Sequence, residues 1–338
     1  MTVDVHGHIT PPELLERFPM PRALGDVEGM IEQKERAGIE LTIVGSPVGV
    51  GTMMPVPGLD NFAQSEDDLK RFHDWLSETV TKHRVHLRAY AWTNPFGGDS
   101  LLEQTAETMK DDGFVGLIAN TSVRGEYLDS GRADALFSLA CDLDVPILLH
   151  PPAEPVGSPS LQDFRLVEQV GRFCDVTAGL ATLLFGGTLE RYPRLKLIGA
   201  MSGGAIALLA GRLDAAQRAR RPPAGGPPGE GGPPGPPPAA EPEQPAQAAS
   251  ARLREIFVDT AALSAAALKL NVEVLGADRL LFGSDSPPAS EPVEEAIAAV
   301  NELPVSDEDK EQILSGNARR LFKLDRSTAA TAAEMRNA

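Results

Sequence analysis

Along the chain, short apolar runs alternate with longer stretches whose hydrophobic residues recur at three- and four-residue spacing. The runs TVDVHGH, ELTIVGS, HLRAYAWT, FVGLIAN, VPILLH, LKLIGAM, EIFVDTA and RLLFGSD have the length and near-continuous apolarity of buried parallel strands. Amphipathic helices are expected between them, at Asp26–Ala37, Ser65–Lys82, Leu101–Asp111, Ala133–Leu143 and Leu161–Arg191, with a last one near Asp307–Phe322. Strand–helix alternation carried through eight strands predicts an α/β fold, a closed (β/α)8 TIM barrel. The rival is an open, doubly wound sheet of eight parallel strands, a wider object with less regular spacing.

One segment breaks the pattern. Between strands six and seven, RPPAGGPPGEGGPPGPPPAAEPEQPAQAAS is almost wholly Pro, Gly, Ala, Glu and Gln. It has nothing to bury, so a disordered Pro/Gly-rich insert is expected at about 219–250. Its prolines lack the regular basic or aromatic anchors of a docking ligand. The barrel pattern resumes afterwards, so residues 1–325 are expected to form one domain, followed by a frayed tail over 326–338.

Composition narrows the function. A barrel takes about 250 residues, and the 338 here leave room for insertions. The formal net charge of −17 argues against nucleic acid or an anionic membrane as partner. Cys141 and Cys174 sit in apolar, helix-like surroundings without a CxxC arrangement, and read as reduced core residues. The N-terminus MTVDVHGHITPP shows no basic segment followed by an apolar run, and no stretch of about 18 apolar residues occurs. A soluble, cytoplasmic protein is expected.

In such barrels the chemistry gathers at the C-terminal ends of the strands. Strand one ends with His6 and His8 flanking Gly7, and alternate strand residues share a face, so both imidazoles can aim into the barrel mouth. Strand five ends in His150 and strand eight in Asp285, where a buried strand would otherwise continue apolar. Ionisable groups there are costly unless paired or bound to a metal. Three histidines and one carboxylate from around the rim predict an open, catalytic site for one divalent ion. Ordinary hydrogen-bonded core groups are the bland explanation of the same residues. The remaining histidines, His73, His83 and His86, lie on a helix or at the far end of strand three and read as structural.

Four motifs, in order, carry a resemblance: DVHGH, LFGGTLERYPRLKLIGAMSGGAIALLAGRLD, LLFGSDSP and SGNARRLF. Together they resemble the amidohydrolase-related family, and more closely the branch of aminocarboxymuconate-semialdehyde decarboxylase and related non-oxidative decarboxylases and hydratases. The resemblance implies a barrel, one metal ion (Zn2+, with Mn2+ also known) and small aromatic or unsaturated carboxylic acid substrates. It makes His6, His8, His150 and Asp285 the metal ligands, and Asp285 also the proton-transfer group. It also suggests a homodimer. Binuclear relatives bridge two metals through a carboxylated lysine closing strand four; FVGLIAN has none, which favours a single ion. The family's strand six ends in a His-Gly-Gly-Gly element whose histidine assists the chemistry. Here Met201-Ser202-Gly203-Gly204 stands in its place. A thioether cannot shuttle a proton, so either the reaction needs only Asp285 and the ion, or turnover has been lost while the site is kept; the intact ligand positions favour the first.

A carboxylate substrate would want a rim arginine, whose fork grips both oxygens. Arg22, Arg124 and Arg165 are the candidates, with Trp92, Asn94, Phe96, Met53, Met54 and Met201 as possible pocket walls. Gly203 and Gly204 would permit close backbone approach. The expected activity is a metal-dependent, decarboxylase-like lyase acting on a small carboxylated or enol-type molecule. A metal-dependent hydrolase, hydratase or cyclase is the enzymatic alternative, and a non-catalytic relic barrel the third reading.

Overall fold

The computed structural model describes residues 2–161, 163–218, 248–261, 264–289 and 292–324. Of the insert predicted at about 219–250, residues 219–247 lie outside the described residues, as does the tail at 326–338. The insert's last residues, Ala249 and Ser250, instead begin a short helix, Ala249–Arg252. Eight strands form a single sheet: β1 (Thr2–His8), β2 (Ile39–Gly45), β3 (Leu87–Trp92), β4 (Phe114–Asn120), β5 (Pro146–His150), β6 (Lys196–Gly199), β7 (Phe257–Asp259) and β8 (Leu280–Leu281). Each pairs in parallel with the next in chain order. The ring is brought nearly to closure where the Val5 N–H of β1 donates at 2.9 Å to the carbonyl of Phe282, one residue beyond β8. The rival open sheet would leave both edges unpaired.

The strands are apolar on both faces because one face fills the barrel and the other meets the helices. Tyr90 of β3 is 1% exposed, and its hydroxyl reaches across the interior to the Val5 carbonyl of β1 at 2.9 Å. The crossover helices are α1 (Val27–Arg36), α2 (Glu66–Lys82), α3 (Asp99–Thr108), α4 (Asp134–Leu143), α5 (Arg172–Phe185), α6 (Ile206–Arg218) and α7 (Ala265–Leu275). Capping sets several of their starts: the side chains of Asp26, Ser65 and Ser264 accept from the backbone N–H three residues on.

Three expectations need correction. The single helix expected over Leu161–Arg191 is broken: a turn of π-helix covers Val167–Gly171, α5 runs from Arg172, and a short helix Thr188–Arg191 follows. Gly186 and Gly187 interrupt it, Gly187 at φ +68. Strand eight ends at Leu281, so Asp285 sits in the loop beyond it, at φ +53. Cys141 is buried as expected, but Cys174 is exposed on α5. Among the described residues no helix is long and apolar enough to cross a membrane.

Candidate metal centre

The four expected donors converge at the C-terminal mouth of the barrel. One ligand atom from each of His6, His8, His150 and Asp285 lies within 4.8 Å of all the others. His6 Nε2 and His8 Nε2 are 3.1 Å apart, and Asp285 Oδ1 stands 3.1 Å from His8 Nε2 and 3.5 Å from His6 Nε2. The three imidazole planes are nearly perpendicular, with centroids 4.9, 5.3 and 5.1 Å apart.

The chemistry of this donor set fits a cation. Each imidazole turns its Nδ1 towards a fixed acceptor: His6 to Asp259 Oδ2 at 2.6 Å, His8 to the Gly45 carbonyl at 3.1 Å, His150 to the Pro151 carbonyl at 2.8 Å. That places the proton on Nδ1 and leaves the Nε2 lone pair facing the cluster. Two lone pairs 3.1 Å apart repel unless a positive charge lies between them. Burial disfavours the imidazolium at all three. At His8 and His150 burial prevails and the pKa is lowered. At His6 the Asp285 and Asp259 carboxylates outweigh burial and raise it to about 9. A proton on His6 is therefore what a metal would displace. Burial would also raise Asp285, but the surrounding histidines outweigh it and hold the carboxyl well below its ordinary value.

Two supports escaped the sequence reading. Asp259, which closes β7 and is fully buried, holds His6 with Oδ2 and also accepts from the backbone N–H of Met201, Ser202 and Ala261 at 3.1, 2.7 and 3.0 Å. It closes an apolar strand just as His150 does, a signal present in EIFVDTA. Beneath the cluster, buried Asp4 accepts from the N–H of His6 and from the N–H and hydroxyl of Ser284, and pairs with buried Lys34. This network ties β1 to the loop that carries Asp285.

Above the cluster lies a cavity of about 40 Å³, with His8, His150, Asp285, Met201, Val48 and Met53 among its walls. It adjoins an outer chamber of about 270 Å³, which shares Met53, Met201, Asp285, Pro288 and Arg172 with it. Met201 and Met53 thus line the site, and Met54 lines the outer chamber only. Gly203 and Gly204 hold φ values of +70 and +62; a Cβ on Gly203 would meet Val258 at 2.7 Å, and one on Gly204 would meet Thr177 at 2.3 Å.

The other expected contacts scatter. Arg22 is exposed, and its neighbour Pro21 lines the outer chamber instead. Arg124 is ion-paired with Asp60 at 2.6 Å beside a separate cavity, and Arg165 is exposed at the chamber's edge. Trp92 is 1% exposed and packs behind the wall, its indole N–H donating to the Pro47 carbonyl at 3.3 Å. Asn94 donates to the Phe62 carbonyl, and Phe96 stacks under Arg132. The arginine that reaches the inner cavity is Arg172, which falls within the single helix expected over Leu161–Arg191. His83 caps α2, and His86 lies 3.6 Å from Glu35, both away from the mouth.

Comparison with known proteins agrees with this architecture. The amidohydrolase family model matches residues 3–324. The 2-amino-3-carboxymuconate-6-semialdehyde decarboxylase of Dictyostelium discoideum is 25% identical over 229 residues, 67% of this chain but 58% of that relative's own length. The gamma-resorcylate decarboxylase of a Polaromonas species is 25% identical over 286 residues, covering 80% of this chain and 81% of the relative. A crystal structure of dihydroxybenzoic acid decarboxylase from Polaromonas, with bound manganese and 2-nitroresorcinol, shares the fold. Its TM-score is 0.71 at 20% identity, over 96% of this chain and 97% of that one. A family model spanning nearly every described residue, on a barrel with this histidine–aspartate mouth, places the chain in the amidohydrolase family.

Proposed function

We propose that the protein is a metal-dependent lyase that decarboxylates a small aromatic or unsaturated carboxylic acid, with His6, His8, His150 and Asp285 as ligands of one divalent ion. The observation that carries this reading is the proton inventory of the inner cavity. Its histidines, His8 and His150, are held at Nδ1 and face the cluster through Nε2. Met201 has no proton to give, and an arginine keeps its own. Asp285, whose side chain is 27% exposed, is left as the group that can exchange a proton with a substrate. Both curated relatives are named decarboxylases, which supports the same reading.

When bound, the ion supplies Lewis acidity, stabilising negative charge as it builds on the substrate. The chain's own residues do the rest. Val48, Met53, Ala153 and Met201 give the inner cavity apolar walls beside the donor groups. Asp285, whose carboxylate is partly exposed, takes up a proton from solvent and delivers it to the substrate. The bond between the carboxyl carbon and its neighbour breaks, CO2 departs, and the electron pair left on that neighbour accepts the proton from Asp285. Three imidazole nitrogens and one carboxylate oxygen suit Zn2+; Mn2+ is the alternative, as in the Polaromonas structure.

Met201 favours one second reading, hydrolysis, in which Asp285 alone takes a proton from water and returns it to a leaving group. The test is CO2 release from a panel of ortho-hydroxybenzoic and unsaturated carboxylic acids, run beside a panel of lactones and amides. Metal-dependent CO2 release supports the lyase. Cleavage of lactones or amides without CO2 replaces it by the hydrolase, and turnover of neither panel favours the relic barrel.

A further inference from the structure

We propose that Arg172 grips the substrate's carboxylate where the inner cavity meets the outer chamber. This deepens the reading above and rests on its view of the substrate as a carboxylic acid. Arg172 is the first residue of α5 and lines both the inner cavity and the outer chamber, so it stands where they join. One terminal nitrogen donates to the Met53 carbonyl at 2.9 Å. Its Nε is buried and has no hydrogen-bond partner among the described residues.

A buried donor left unmatched calls for a ligand or water to complete it. A guanidinium offers paired donors in a plane, the shape that meets both oxygens of a carboxylate. The arginine is also held in place. One turn further along α5, buried Asp175 accepts from the Thr121 and Ser122 hydroxyls at 2.5 and 3.0 Å and from the Val156 N–H at 2.8 Å. That anchors the start of the helix to the segment just after β4 and to the loop after β5. Burial works against the charged guanidinium, and Glu168 and Asp285 favour it.

Charge and size agree. Asp285 brings one negative charge to the inner cavity and Arg172 one positive charge, so a divalent ion at the cluster would leave an excess of positive charge, suited to an anion. A dry cavity of about 150 Å³ accepts benzene, so the inner 40 Å³ is too small for a ring and the outer 270 Å³ is sufficient. A ring seated there can turn its carboxylate to Arg172 and its edge towards Asp285.

The test is equilibrium binding to the metal-loaded protein, with 2,6-dihydroxybenzoate as probe and resorcinol, the same ring without the carboxylate, as its partner. The wild type binds the acid more tightly than resorcinol. Arg172→Gln weakens the acid by about 10- to 100-fold, the loss of a charged hydrogen-bonding pair, and leaves resorcinol nearly unchanged. Arg172→Lys, which keeps the charge but loses the fork, falls between. Arg124→Gln, whose guanidinium is already taken by Asp60, leaves the ratio unaltered. Metal content and thermal midpoint are measured on each variant, and the Lys variant decides if the Gln variant does not fold. Equal weakening of both probes by loss of Arg172, or a wild type that does not prefer the acid, overturns the proposal. CO2 release is scored separately. Preferential binding of the acid without turnover keeps Arg172 as the anchor and sinks the decarboxylase instead.

Discussion

His6 Nδ1 lies 2.6 Å from Asp259 Oδ2, and neither side chain has any exposed surface. The contact fixes which nitrogen of His6 carries the proton and so which one faces the cluster. Carboxylates in this position orient a ligand imidazole and raise its basicity, and losing one weakens metal affinity by about 10- to 100-fold. Asp259→Asn should show a loss of that size in a chelator competition, with the fold intact by circular dichroism. An unchanged affinity would mean that the contact merely fills space.

Asp285 is expected to matter beyond holding a metal. With the ion supplied in excess, Asp285→Asn should lower turnover by about 100- to 10,000-fold, the range associated with a positioned proton-transfer group. Stopped-flow measurement of product formation at saturating metal checks this. Activity within a few-fold of the wild type would move the proton transfer elsewhere.

Lys34 and Asp4 are 3% and 0% exposed and salt-bridged under the site. Removing one partner strands the other charge in the interior, which costs about 3–5 kcal/mol. Lys34→Met should therefore lose stability of that order in urea unfolding, and the double variant Asp4→Asn/Lys34→Met should recover part of it. A single variant as stable as the wild type would show that water reaches Asp4.

His73 on α2 reads from sequence as a satisfied structural histidine, and the structure puts it in the core at 3% exposure. Its Nε2 accepts from the Trp92 N–H at 3.1 Å, while Nδ1 has no partner among the described residues. Burial lowers its pKa to about 4. The unfolded chain takes up this proton near pH 6.5. Between those values the unfolded state binds more protons, so stability falls as the pH is lowered. The shift corresponds to at most about 3 kcal/mol. Urea unfolding from pH 7 to 4 should show a shallower decline for His73→Gln than for the wild type; parallel declines would contradict the assignment.

Much of this was legible in the chain. Buried strands announce themselves as apolar runs, and an imidazole or carboxylate closing such a run has few explanations, which is why His6, His8 and His150 stood out. The same signal at Asp259 was available and went unused. Arg172 was harder to see. Its position at the cavity goes with the breaks flanking α5 and with the Met53 carbonyl arriving from a distant loop, and neither follows from local periodicity. Trp92 illustrates the converse: a polar-edged aromatic at a strand end looks like a pocket wall until its indole is found donating to Pro47 behind that wall. Asp285 marks a smaller limit, since the strand stops four residues short of it and a left-handed turn brings it back to the cluster.

The central claim is that three imidazoles and one carboxylate hold one ion. Metal content by elemental analysis of chelator-free protein, paired with titration of the stripped protein, tests it most directly. The account predicts one equivalent of zinc or manganese in the wild type and its loss in His150→Ala. Less than about a fifth of an equivalent of any transition metal in the wild type, when an intact four-ligand site should retain its ion, would contradict it.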